Sequence, residues 1–345
     1  MSEAFSSSPE ALAAQALVRG LQGRLVARLE AAAASAGVPV ALAPVHWDRD
    51  GGAHGGGTRY QTGDNAAFDR ASVNVSVVHY DDRPEKKLGS AIALSAIVHP
   101  RHPRSPSMHM HISHTALKRG RAYWRVMADL NPALPDEAEK ARFEGALRAA
   151  APVHFEAARA QGDKYFRIEA LDRHRGVTHF YLEGHDSGDF EADRAMAERV
   201  GIAAIDTYGA ILESAWAAHG PPSVEEQQAQ LAYHTLYLFQ VLTLDRGTTS
   251  GLLVHGDNDV GILGSLPSQV SRELLSRWIE RMAPPQHELL RAIVAALPDR
   301  EPSPVTVEAK RALADVVRAH YRAHPEALSM QASGHQLPPT VENHR

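Results

Sequence analysis

The chain predicts an α+β fold. Three observations carry that prediction: leucines at helical spacing open the chain, alternating strand segments follow one another through residues 71–128, and helical patterns dominate from residue 135 onward. Residues 9–34 hold Leu12, Leu17, Leu21, Leu25 and Leu29 with Arg and Glu between them, an amphipathic helix with one face on a core. Residues 38–47 read as a strand. Residues 51–57 (GGAHGGG) read as a glycine-rich turn, expected to be a flexible loop at a pocket mouth because the Lys-Ser/Thr of a phosphate-binding loop is missing.

Residues 71–79 alternate Val73, Val75 and Val77 as a half-buried strand, and residues 88–99 form a more apolar, more central one. Pro100, Pro103 and Pro106 then interrupt the pairing. Residues 108–114 and 122–128 form a hairpin about the turn 118–121, which returns Asp129 towards the histidines of its partner strand. Residues 135–160 are helical, with Pro135 and Asp136 as the entry signal. Residues 176–184 read as a strand with Val177, His179, Tyr181 and Glu183 on one face, followed by a long helix over 190–219. Residues 231–244 are expected to begin as helix and finish as strand. Residues 248–255 read as the next strand, 261–266 as a short element and 271–297 as helix. The polar tail from Met330 is expected to be disordered.

With 345 residues, 44% of them hydrophobic, the chain suits one large domain or two ordinary ones. No apolar run approaches the roughly 20 residues of a membrane span, and the opening lacks the order of a secretory signal, so a cytoplasmic location is expected. The absence of cysteine removes disulfides, thiolate nucleophiles and cysteine metal sites, leaving His, Asp and Glu for any metal. A formal charge of −5 without a basic block argues against nucleic acid and for a small-molecule substrate.

Histidine is conspicuous, with 20 copies, several between Ser107 and His185. In extended chain, residues two apart stand side by side about 7 Å apart, so His109, His111 and Ser113 share a face. Two imidazoles so placed can share a proton, bind one metal ion or simply pack. His79 and His99 close the strands over 71–79 and 88–99, and His114, on the opposite face from His109, is expected at the surface.

Several longer segments follow the glycine-rich turn in unbroken order across roughly residues 47–278. They are VNVSVVH (73–79), AIVHPRHPRSPSMH (96–109), ADLNP (128–132), DKYF (163–166), DRGTTSGL (245–252) and ILGSLPSQVSRELLSRW (262–278). In these segments the chain resembles the oxygen-dependent coproporphyrinogen III oxidase family. The resemblance implies a large, mostly antiparallel sheet flanked by helices on both faces, a homodimer, and a substrate cleft at the sheet. It also implies oxidative decarboxylation of two propionates to vinyl groups by molecular oxygen, without an organic cofactor or a required metal. His109 and Asp129 match active-site positions and are the candidate catalytic pair. Asn74, Ser113 and Arg246 are the candidate substrate-binding residues. The implied domain runs over 47–297, preceded by a helix and lead-in strand (1–46) and followed by a helix and polar tail (298–345).

This chain departs from the family pattern at three places. His111 stands where the family has Asn and Ser113 where it has Arg, a residue suited to a carboxylate through two parallel hydrogen bonds. Tyr123, Trp124, Arg125, Val126 and Met127 replace a glycine-rich Trp-Trp-Phe-Gly-Gly-Gly stretch, and the sequence from Arg175 to His185 replaces another. The scaffold looks retained and the pocket rebuilt. His109 and His111, with His179 and Glu183 from a neighbouring strand, are therefore a candidate ligand set for Fe, Cu or Mn; the alternative is that His111 packs with a hydrogen bond. Three functions follow. The first is a metal-dependent oxygen-using oxidase or oxygenase acting on a small molecule other than coproporphyrinogen. The second is a divergent coproporphyrinogen III oxidase, and the third a non-catalytic tetrapyrrole- or metal-binding protein.

Overall fold

Seven strands pair antiparallel in strict chain order to form one sheet in a computed structural model that describes residues 8–254 and 258–334. They are β1 (Ala43–Asp48), β2 (Gly55–Thr62), β3 (Phe68–His79), β4 (Leu88–Pro100), β5 (Ser107–Leu117), β6 (Ala122–Asn131) and β7 (Thr178–His185). Between β6 and β7 the chain inserts α2 (Glu137–Ala150) and α3 (Phe155–Phe166), whereas α1 (Pro9–Ser35) precedes the sheet. After it come α4 (Phe190–Ala218), α5 (Val224–Thr243), α6 (Arg246–Val254), α7 (Asp259–Ile262), α8 (Arg272–Trp278), α9 (Gln286–Ala296) and α10 (Val307–Ala323). The expected antiparallel sheet with helices on both faces is the observed architecture.

Register converts the alternation of each strand into two different faces. Val73, Ala96, Met110, Ala128 and Phe180 lie in one cross-strand row, all buried. That face packs on α1 and α4 through Leu17, Leu21, Leu25, Leu29, Val200 and Tyr208, each buried leucine contributing on the order of 2 kcal/mol. The adjacent row, on the opposite face, is Asn74, Ser95, His111, Met127 and Tyr181. The C-terminal helices cover this polar face but build a separate core of their own, to which the sheet contributes Ile97. A cleft therefore remains between the two layers.

Several elements differ from the sequence reading. Only the first part of the glycine-rich segment turns; Gly55, Gly56 and Gly57 begin β2. A Cβ on Gly57 would lie 2.7 Å from the Trp47 ring and against the Val75 carbonyl, so glycine serves close strand approach rather than loop flexibility. Gly57→Ala is expected to destabilise by about 1–3 kcal/mol in urea unfolding; an unchanged midpoint would mean that the strands part without strain. The helix expected over 135–160 breaks after Ala150, ahead of Pro152. The Asp136 carboxylate caps its first half by accepting from the Ala138 and Glu139 N–H groups at 2.8 and 3.0 Å.

The strands expected within 231–244 and over 248–255 are the helices α5 and α6. Ser223 and Glu226 form a reciprocal capping box at the start of α5, and the Asp245 carboxylate accepts from the Thr248 N–H at 2.6 Å at the start of α6. Caps and packing outweigh the local strand-like composition; His255 lies outside the described residues. The helical stretch over 271–297 is interrupted by Pro284 and Pro285. His114 is a core residue rather than a surface one, with its ring centroid 5.0 Å from Trp124 and 5.2 Å from Phe190. The tail expected to be disordered is docked where it is described: Gln331 is buried, and the Gly334 N–H donates to Glu183 at 2.9 Å. No helix among the described residues is long and apolar enough to cross a membrane.

Candidate active site

The cleft between the polar sheet face and the C-terminal helices has a volume of about 330 Å³. His109, His111 and Ser113 of β5 line it together, as their alternation predicts, and Asn74 faces it from β3. A second hollow of about 620 Å³, beside Asp69, Arg101 and His234, contains none of the candidate site residues.

His109 and Asp129 are direct cross-strand partners, and their side chains meet at 3.2 Å between Nδ1 and Oδ1. The Asp129 side chain is 0% exposed and that of His109 19%, so the carboxylate stands behind the imidazole and reaches the cleft through it. Arg175 lies 3.1 Å from the other carboxylate oxygen, to which the Asn131 amide also donates at 2.6 Å. Burial favours the neutral acid, but the Arg175 guanidinium, His109 and the Asn131 hydrogen bond outweigh it and hold the Asp129 pKa below its ordinary value. Arg175 itself donates to Asn131 at 2.8 Å and to Gln240, with its guanidinium 4.6 Å from the Phe166 ring centroid. It reaches this place because the chain turns at Gly176, φ 86°, where a Cβ would meet the Asn131 side chain at 2.5 Å.

A second carboxylate, Asp245, lines the cleft near His109. The Tyr165 hydroxyl donates to it at 2.7 Å and the Thr248 N–H at 2.6 Å. Burial raises the Asp245 pKa, but these donors and His109 outweigh it, so the net shift is downward. His109 thus works in the field of two buried carboxylates, an arrangement that can hold a proton at its ring or pass one on.

Three of the four expected metal ligands, His111, His179 and Glu183, are engaged elsewhere. His111 Nδ1 meets Ser95 Oγ at 2.7 Å and Nε2 meets Ser113 Oγ at 2.9 Å. Burial, with Arg125 and His109 nearby, pushes its pKa down to about 3 and keeps the ring neutral. His179 Nδ1 faces Asp163 Oδ1 at 2.8 Å and Nε2 faces the Arg175 carbonyl at 2.8 Å, so both nitrogens are turned to those oxygens and not into the cleft. Glu183 is paired with Arg246, and its two oxygens also accept from the Tyr181 hydroxyl at 2.7 Å and from the Gly334 N–H. No group of three or more His, Asp or Glu side chains able to hold a metal exists among the described residues. The donor set does not fit the expected ion, because hydrogen-bond and ion-pair partners hold His111, His179 and Glu183 and leave His109 alone among the four. Arg246, expected against substrate, is turned onto Glu183.

The residues overlooked in the sequence reading are Arg125, Arg175, Asp245 and Tyr165. Arg125 carried a usable signal, since it is four residues before Asp129 on one strand and therefore on the same face. The others come from a turn, a helix cap and a helix end.

The family model for coproporphyrinogen III oxidase matches residues 13–293. The oxygen-dependent coproporphyrinogen-III oxidase of Rickettsia akari (strain Hartford) is 28% identical over 246 residues, covering 67% of this chain and 85% of that protein. Its counterpart in Rickettsia bellii (strain OSU 85-389) is 29% identical over 238 residues, covering 65% and 82%. A match running from α1 to α9 takes in the sheet, both flanking layers and the His109–Asp129 pair, so the chain belongs to the coproporphyrinogen III oxidase family, among oxidoreductases that use molecular oxygen.

Proposed function

We propose that this chain is a divergent coproporphyrinogen III oxidase. The observation that carries the reading is His109 at the cleft wall, backed by the buried Asp129–Arg175 pair and faced by Asp245. Each reacting propionate would follow R–CH2–CH2–COOH + O2 → R–CH=CH2 + CO2 + H2O2, in which the C–H electron pair reduces oxygen and the C–C pair left behind by the departing CO2 becomes the new π bond. His109 is the group positioned to take the pyrrole N–H proton as electrons leave the ring, and Asp129 orients that imidazole and balances the charge it gains with the proton. The buried donors around Asp129 and Asp245 keep both carboxylates anionic at neutral pH, so a cation formed on the substrate ring is stabilised in a site of low dielectric. No step is assigned to a metal. A homodimer and a cytoplasmic location belong to the proposal, the first checked by sedimentation.

The test is oxygen uptake by chelator-treated protein supplied with coproporphyrinogen III under air, with the divinyl product read by fluorescence after oxidation. Turnover with one CO2 and one H2O2 per vinyl group is the expected result. A second reading, oxidation of a different small molecule, draws on the changes at His111, Ser113 and residues 123–127. It prevails if folded protein leaves coproporphyrinogen III unchanged.

A further inference from the structure

Arg125 faces the cleft from β6 and makes no hydrogen bond or ion pair among the described residues; its Nε is fully buried. Two nearby guanidinium groups are paired with carboxylates, Arg175 with Asp129 and Arg246 with Glu183, and Arg59, which also lines the cleft from β2, donates to Gln61 at 2.8 Å. The one carboxylate whose charge acts notably on Arg125 is that same Glu183, already held by Arg246, Tyr181 and Gly334. Tyr123, Tyr165 and Tyr181 complete the surroundings. A cation buried without a partner is costly, whereas one that meets an incoming anion makes short, charge-assisted bonds.

Register explains why the guanidinium has room. Arg125 is directly opposite Ser113, whose small hydroxyl is bonded to His111 and leaves the cleft above it open. We propose that Arg125 anchors a carboxylate of the substrate by its planar pair of N–H donors. The anchored group is not the reacting one. Arg125 lies four residues from Asp129, about 13 Å along the strand, so the ligand carries an anionic group well removed from the atoms at His109. This specifies the substrate class as a polycarboxylate that spans the cleft, and it rests on the reaction proposed above.

The probe is coproporphyrin III, the oxidised macrocycle, titrated by fluorescence so that binding is read apart from turnover. Arg125→Gln is expected to weaken binding about 10- to 100-fold and to raise KM for coproporphyrinogen III more than it lowers kcat. Arg125→Lys recovers part of the loss, because charge is restored without the planar fork. The double substitution Ser113→Arg, Arg125→Ser returns a guanidinium from the facing strand and restores most of the affinity, which keeps the test decisive if Arg125→Gln does not fold. Binding of the Gln variant equal to wild type overturns the anchor, whether or not the wild type oxidises coproporphyrinogen III. Arg125-dependent binding without oxidation keeps the anchor and removes the reaction; no binding by the wild-type protein overturns both.

Discussion

Asp129→Asn is expected to lose coproporphyrinogen III turnover by about 10²- to 10⁴-fold, the range associated with a proton-transfer group and its partner. The amide keeps the shape of the carboxylate but removes the charge that faces His109 at 3.2 Å and Arg175 at 3.1 Å. The same change leaves Arg175 buried without its counter-ion, at a cost of about 3–5 kcal/mol. Both effects are measurable on one preparation, kcat by product fluorescence and stability by urea unfolding. A variant that is less stable yet turns over at the wild-type rate would reduce Asp129 to a structural partner of Arg175. If the carboxylate sets the protonation of His109, the acid limb of the pH–rate profile also moves in the variant, which a packing role does not produce.

Acid is expected to destabilise the protein well above the range in which carboxylates protonate. Burial holds His99, His111 and His114 below the ordinary imidazole value, to about 3 for His111 and about 4 for His114. Below pH about 6.5 the unfolded chain takes up protons that the folded chain refuses, so stability falls as pH drops from there towards the folded values. Each such histidine costs about 1 kcal/mol per pH unit, hence about 3–4 kcal/mol for the three between pH 6 and 5. Urea midpoints at pH 7, 6 and 5 test this, and a flat profile would show that the rings accept protons where they are. Asp129 and Asp245 act lower on the scale. Their folded pKa values are depressed, so their contribution is complete above the unfolded value near 3.9 and is lost only as pH falls through the folded ones.

The sheet was legible because half-buried strands carry their burial in a period of two, and the hairpin from β5 to β6 carried a turn signal as well. That same period placed His109, His111 and Ser113 on one face. It also places Arg125 on the face of Asp129. The helices α5 and α6 were misread where cap signals at Ser223 and Asp245 competed with strand-like composition, and tertiary packing settled the contest.

The sequence by itself determined the fold class, the family and the placing of His109 and His111 in the cleft. Those follow from local periodicity and from ordered segments, which a linear chain carries completely. Only the tertiary structure decided what each inward side chain is bonded to. His179 and Glu183 share the strand face expected of ligands, but Asp163 and Arg246 hold them instead. Arg175 reaches Asp129 across 46 residues, and Arg125 is left without a hydrogen-bond or ion-pair partner among the described residues. A lone pair or a charge is available for chemistry only if no neighbour satisfies it, and in this cleft many of those neighbours come from elements far apart along the chain.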